Sequence, residues 1–354
     1  MLAKKRFTVI MKTSMKHFIV REVNSMKQKA NAPTMKDVAR EAGVALGTVS
    51  KVFNSIPVGE DYRRRVEEAA KRLGYQVNNY ARGLKTNRTY SVALILPNVT
   101  DPFFAMLAQE VCSALAQRGY RTILSTTDYG PEAEQRCIQM VQQNKVDGII
   151  GLTYNPNLEV DPQLPYVSID RYFSPSVPCV SSDNFSGGQL AAEKLLELGC
   201  TRPLFLRIGS KVPGESDKRG DGFEAVCRQR KIECASLRLN DEDGLEPFKD
   251  FLSGHMDQGR LGFDGIFCVT DALAVRIQIM LSELGLRVPE DVQLIGFDGI
   301  RRFAQKGFIC STIVQPITRI AETGVELLLR EDRSNLPSLV CLPVTYAPGG
   351  TTKE

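Results

Sequence analysis

Thr34-Met35-Lys36-Asp37-Val38-Ala39-Arg40-Glu41-Ala42-Gly43-Val44 runs directly into Ala45-Leu46-Gly47-Thr48-Val49-Ser50-Lys51-Val52-Phe53-Asn54. Met35, Val38, Ala39 and Ala42 recur at helical spacing, as do Val49, Val52 and Phe53, so two short helices can share a small apolar core. Gly43 can take the left-handed conformation that a tight turn between them requires. Thr34 can cap the first helix through its hydroxyl, and Asp37 suits the positive end of that helix. The pattern predicts a helix-turn-helix, a motif whose second helix enters the major groove of DNA. Gly59 opens a third helix with Tyr62, Val66, Ala69, Ala70 and Leu73 as its apolar stripe. Its Arg63, Arg64 and Arg65 are expected to face solvent or phosphate, and Gly74 ends it.

T-M-K-D-V-A-R-E-A-G-V-A-x-x-T-V-S-K-V-x-N from Thr34, R-L-G-Y at 72–75 and A-R-G-L-K at 81–85 together resemble the headpiece of the LacI family of bacterial repressors. The resemblance extends from about Thr34 to the C-terminus, most specifically in the headpiece. It implies that Leu46, Gly47 and Lys51 meet base edges, Lys51 as a donor to guanine acceptors. Thr48, Ser50 and Asn54 would bond phosphates, with Thr34 a further DNA-facing position. Ala45 stands where the family usually has serine, and Leu46-Gly47 offers no side-chain donor or acceptor to a base, so the operator sequence is not legible here. Asn78 to Lys85 resembles the family's hinge helix. Asn78 would cap it, Ala81 would permit close helix–helix approach, and Leu84 would wedge between base steps of the minor groove beside Lys85. Gly83 weakens so short a helix, which is expected to be disordered off DNA and to fold on it. The alternative for Leu84 is an ordinary core leucine.

Charge is distributed unevenly. Residues 1–90 carry 19 Lys/Arg against 7 Asp/Glu and the remainder 26 against 34, so the net charge of +4 hides a basic head on an acidic body. That suits a polyanion partner at one end only, although a solvated basic face explains the charge equally well. The first 33 residues hold eight Lys/Arg and one acid, yet Phe7 to Met11 is too short for a signal h-region. Residues 1–25 read as a disordered extension or a misassigned start before Met26, the sharper alternative being an arm that tracks phosphates. Nine scattered cysteines lack metal-ligand spacing and read as reduced, mostly buried thiols of a cytoplasmic protein. No apolar run approaches the roughly 18 residues of a membrane span.

From Ser91 onward strands and helices alternate. Apolar runs at Ser91–Leu96, Thr122–Thr126, Gly148–Leu152, Tyr166–Ile169, Leu204–Ile208, Gly265–Val269 and Val292–Phe297 read as buried parallel strands. Helical patterns around 102–118, 131–143, 185–198, 217–230, 243–256, 271–284 and 316–330 separate them. The fold class is therefore a small all-α headpiece (34–77), a hinge and linker (78–90) and an α/β body of two doubly wound parallel-sheet lobes (91–354). The family resemblance implies a periplasmic-binding-protein-like body, with lobe 1 at about 91–182 and 312–338 and lobe 2 at about 183–311 and 339–354.

Ligands of such sheets bind beyond the carboxyl ends of the strands. Asp101, Phe103, Phe104, Asp170 and Arg171 fall there in the first lobe, and Arg219, Asp271, Phe297 and Asp298 in the second. By the resemblance these line an effector cleft, where carboxylates and arginine bond ring hydroxyls and phenylalanine covers an apolar sugar face. Asp101 and Asp271 read equally well as helix N-caps. Thr270 stands where the family often has asparagine, which leaves the sugar open.

The leading reading is a cytoplasmic repressor that acts as a homodimer on a pseudo-palindromic duplex operator under control of a carbohydrate effector. The runners-up are a sugar-binding protein without a DNA role and a regulator whose effector is a nucleobase. An enzyme is the weakest class. Neither G-x-G-x-x-G after the first strand nor a G-x-x-x-x-G-K-[ST] loop is present, and His17 and His255 have no nucleophile to serve. No cofactor, metal or membrane partner is implied.

Overall fold

The computed structural model describes residues 33–53, 56–75, 88–143, 145–155, 157–302 and 306–353. The chain divides into two compact units, Met1–Arg82 and Gly83–Glu354.

In the first unit, α1 (Met35–Ala42), α2 (Leu46–Phe53) and α3 (Glu60–Leu73) enclose Val38, Val49, Val52, Val66, Ala69 and Ala70. Thr34 and Asp37 form a reciprocal capping box at the start of α1. Gly43 ends the helix at φ 62°, and Val44 N–H closes back on the Ala39 carbonyl at 3.0 Å. Two expectations for α3 fail. Tyr62 is half exposed: it shares the face of Val66 and Ala69 but stands in the first turn of the helix, at the margin of the core. Arg65 reaches back to donate to the Ala42 and Gly43 carbonyls at 2.7 and 3.1 Å, clamping the turn instead of facing solvent.

The second unit holds two six-stranded sheets. The first, in the order β13-β5-β4-β3-β1-β2, is wholly parallel. It comprises β1 (Ser91–Leu96), β2 (Arg121–Thr126), β3 (Gly148–Gly151), β4 (Tyr166–Ile169), β5 (Cys179–Ser182) and β13 (Leu339–Leu342). Alternation decides its two cores. Val92, Leu94 and Leu96 pack under α4 (Pro102–Gln117) and α10 (Ile317–Leu329), whereas Ala93 and Ile95 pack under α5 (Pro131–Gln143). The β2 strand is largely exposed rather than buried, since it stands at the edge with one neighbour.

The second sheet runs β14-β12-β11-β10-β6-β7, with only β14 antiparallel. Its strands are β6 (Pro203–Gly209), β7 (Ala235–Asn240), β10 (Gly265–Cys268), β11 (Gln293–Asp298), β12 (Ser311–Val314) and β14 (Thr345–Ala347). The β8 (Met256–Asp257) and β9 (Arg260–Leu261) strands make a separate hairpin. Phe205, Phe223 and Phe267, with centroids 5.4–6.1 Å apart, centre a core closed by α6 (Asn184–Glu197), α7 (Lys218–Arg230), α8 (Glu246–Gly254) and α9 (Asp271–Glu283).

The lobe boundaries near the C-terminus need correction. Ser311–Val314 pairs with β11 and so belongs to lobe 2, while Leu339–Leu342 pairs with β5 and belongs to lobe 1. The chain thus crosses between lobes three times, after β5, after β12 and after β13. Short strands joined without a helix carry no periodicity to reveal which sheet they enter.

Candidate functional site

The carboxyl ends of the two parallel sheets face one another across a cavity of about 410 Å³. Lobe 1 contributes Asp101, Phe103 and Phe104 after β1, Tyr129 after β2, Tyr154 after β3, and Asp170 and Arg171 after β4. Lobe 2 contributes Ser210 after β6, Asp241 after β7, Thr270 after β10, Asp298 at the end of β11, and Arg219 and Arg276 from helices. Pleating and parallel register bring these loops to one level, as the βα architecture dictates.

Arg219 sits at the floor, only 2% exposed. Its Nε donates to Asn184 Oδ1 at 2.7 Å and its Nη1 to the Val269 carbonyl at 2.6 Å. The guanidinium lies 3.7 Å over the ring of Phe297, 3.5 Å from Asp298 Oδ1 and 3.8 Å from Asp170 Oδ2. An arginine so enclosed is fixed before any ligand arrives, with a planar fork suited to oxygen acceptors.

Asp298 adopts φ 129°, a conformation that side-chain-bearing residues rarely take. Gln315 holds it: Nε2 donates to Oδ1 at 2.7 Å and the Gln315 backbone N–H to the Asp298 carbonyl. Ser182 Oγ in turn donates to Gln315 Oε1 at 2.8 Å, so two interlobe crossings meet beneath the carboxylate. Burial drives the Asp298 carboxyl well above the ordinary range, and the neighbouring Asp271 and Asp101 charges add to it against the pull of Arg219. Asp101 is also raised by burial, while its Oδ1 accepts from Phe103 N–H at 2.8 Å. It therefore caps α4 and lines the cavity at once. Asp170 accepts from Ser181 Oγ and Asn184 Nδ2 at 2.8 and 3.2 Å. Arg171 lies 3.9 Å over the Tyr154 ring and reaches across to the Val212 and Pro213 carbonyls of lobe 2.

Seven of the nine expected cleft residues line the cavity: Asp101, Phe103, Phe104, Asp170, Arg171, Arg219 and Asp298. Asp271 and Phe297 do not. Asp271 is fully buried, and its Oδ2 accepts from Gly299 and Ile300 N–H at 2.9 and 2.7 Å, anchoring the loop after β11. Nor does it cap α9, because Thr270 Oγ1 does so by accepting from Leu273 N–H. Phe297 is fully buried beneath Arg219, since adjacent strand residues point to opposite faces and Asp298 takes the cavity side. Tyr129, Tyr154, Asp241 and Arg276 were not anticipated, nor were Asn184, Ser182 and Gln315, which position the lining groups.

In the helical unit, Leu46, Gly47 and Lys51 lie on the exposed side of α2, Leu46 at 43% exposure, with Thr48 and Ser50 half-buried beside them. Thr34 is exposed at the start of α1. Asn54, Asn78, Ala81, Leu84 and Lys85 lie outside the described residues.

Residues 34–78 match the bacterial regulatory proteins of the lacI family, and residues 89–327 match the periplasmic binding proteins and sugar binding domain of LacI family. The chain belongs to the LacI family. Among its relatives, the sucrose operon repressor of Pediococcus pentosaceus is 33% identical over 325 residues, 90% of this chain and 99% of that one. The ribose operon repressor of Bacillus subtilis (strain 168) is 32% identical over 334 residues, 91% of this chain and 99% of that one. The lac repressor dimer bound to operator and the anti-inducer ONPF has a TM-score of 0.72 over 92% of this chain and 100% of its own, at 22% identity, a likeness of fold. This member of the family is a DNA-binding transcription regulator and not an enzyme. Among the described residues no helix is long and apolar enough to cross a membrane.

Proposed function

We propose that this LacI-family member is a cytoplasmic, homodimeric repressor whose affinity for a pseudo-palindromic operator is set by a sugar or sugar derivative held between its lobes. One observation carries the reading: Asp101, Phe103, Phe104 and Asp170 of lobe 1 face Arg219 and Asp298 of lobe 2 across a single cavity. Carboxylates accept from vicinal hydroxyls, arginine donates to ring oxygens, and Phe103 or Phe104 covers an apolar face. A ligand that bonds both lobes binds one lobe arrangement better than another and must shift their equilibrium. At the other unit, Lys51 would read guanine, Leu46 would touch a thymine methyl, and Thr34, Thr48 and Ser50, with Asn54, would bond the backbone. In the hinge segment Asn78 would cap a short helix, Ala81 would permit close helix–helix approach, and Leu84 would wedge between base steps beside Lys85.

The relatives are named for different sugars, a disaccharide and a pentose, so the identity of the sugar is an experimental matter. A thermal-shift screen of neutral and phosphorylated sugars tests the reading, because a ligand of the folded state raises apparent stability. At least one sugar is expected to raise the melting temperature and to change affinity for an operator selected from a random duplex pool. A chain that binds duplex DNA but is stabilised by no carbohydrate would overturn the effector assignment.

A further inference from the structure

Four arginines line the cavity, and three of them are already engaged. Arg219 has the partners described above. Arg207 bonds Asp217 and the carbonyls of Gly209, Leu239 and Ser210. Arg171 bonds Val212 and Pro213 across the cleft and stacks on Tyr154. Arg276, on the second turn of α9, lines the same cavity yet has no hydrogen bond, ion pair or ring contact among the described residues. Arg276 is exposed, so its five donors, in a fixed fork, face solvent at the cavity wall and are free to exchange water for an anion of matching geometry.

The carboxylates do not fill that role. Asp170 and Asp298 flank Arg219, and Asp101 caps α4. Asp241 lies near Arg207 and Arg171, whose charges act upon it. The lobe 2 wall that carries Arg276 also contributes Ser210, Ser216, Thr270, Gly209 and Gly244 to the cavity lining. Positive charge with hydroxyl and amide donors is the environment of a bound oxyanion. The volume of about 410 Å³ accommodates a sugar ring with a substituent.

We propose that the effector is an anionic sugar, carrying a phosphate or a carboxylate that pairs with Arg276 on the lobe 2 side of the cleft. The inference rests on the sugar-effector reading above and adds the charge. Arg276 is then the residue that separates an anionic sugar from its neutral parent, while Arg219 and Asp298 bind the ring common to both.

The test is calorimetric titration and thermal shift of the full chain with ribose 5-phosphate, fructose 6-phosphate, glucose 6-phosphate and sucrose 6-phosphate. Each is compared with its neutral parent, and gluconate serves as the carboxylate arm. At least one anionic sugar is expected to bind about tenfold or more tightly than its parent, the gain from a charged hydrogen bond. Arg276→Ala should abolish that difference and Arg276→Lys should restore part of it, with the melting temperature of the ligand-free chain unchanged, since Arg276 bonds nothing among the described residues. A phosphate arm that binds while gluconate does not assigns the oxyanion as phosphate, and the reverse assigns it as carboxylate. A neutral sugar that binds as tightly as its anionic form, with Arg276→Ala without effect, would overturn the inference and leave the sugar reading standing. Binding of none of these compounds would overturn both.

Discussion

The Arg219 guanidinium stands 3.5 Å from the carboxylate of Asp298, and both side chains are almost wholly enclosed. A guanidinium taken out of water persists only when acceptors surround it, and a buried carboxyl only when it is hydrogen-bonded. Here the hydrogen bonds come from Asn184, Val269 and Gln315, and Phe297 supports the guanidinium from below. The pair thus joins helix α7 to strand β11 and presents its outer edge to the cavity. The same contacts tie the cleft to the fold of lobe 2.

Arg219→Ala should consequently do two things. It leaves the buried Asn184 Oδ1 and Val269 carbonyl without their donor, which costs about 1–3 kcal/mol for each acceptor left unsatisfied, read by urea denaturation of the full chain. It should also remove the operator's response to sugar. A loss below about 1 kcal/mol would mean that these acceptors are solvated in solution and the site is not buried.

Asp298→Asn bears on pH. Burial raises the folded-state Asp298 above the unfolded value, so its contribution to stability is full below pH about 3.9 and is lost as pH rises through the folded value. Denaturation at pH 5 and pH 8 should show the wild type losing stability relative to Asp298→Asn at the higher pH. A constant offset between the two proteins at both values would show that Asp298 ionises normally.

Glycine spacing yields a paired contrast. A methyl added at Gly188 in α6 would sit 1.9 Å from the Arg219 carbonyl oxygen, and one at Gly222 in α7 would sit 2.0 Å from the Phe185 carbonyl. These helices cross at mutual glycines. Gly188→Ala should cost about 1–3 kcal/mol or more through overpacking and weaken sugar binding by displacing Arg219. At Gly47 in α2 an added methyl meets nothing within 4 Å, so Gly47→Ala should stabilise the helical unit through helix propensity, by about 0.5–1 kcal/mol. A stable Gly188→Ala or an unstable Gly47→Ala would contradict the packing described.

Much of this was legible in sequence, and what was not has physical causes. Capping by Thr34, the turn at Gly43 and the βα alternation follow from local chemistry and periodicity, and the described helices and strands β1–β4, β6, β10 and β11 fall within a few residues of their expected places. The side chain that enters the cleft is harder. Phe297 and Asp298 are adjacent on β11 and point to opposite faces, so both could not line the cavity. Asp271 resembles a cleft carboxylate in sequence, but two backbone N–H groups hold it inward. Tyr129, Tyr154 and Asp241 follow strands β2, β3 and β7, so the strand-end rule would have found the first two had it been applied to every strand, whereas β7 carried no readable apolar run. Arg276 lies more than a turn inside a helix and gave no such signal.

Lys51→Ala tests the reading of α2. Loss of a side chain that contacts a base edge should cost about 1–3 kcal/mol on the selected operator and relax specificity at one base pair. Gel-shift titration across single-base variants reads both effects. Uniform weakening across all variants would make Lys51 a phosphate contact instead.

The most direct test of sugar control is linkage between the two ligands. Operator affinity is measured by fluorescence anisotropy with and without saturating sugar, and sugar affinity by calorimetry with and without operator. The account predicts the same factor in both directions, about 5- to 150-fold. A sugar that binds the cleft and raises the melting temperature, yet leaves operator affinity unchanged, would contradict it.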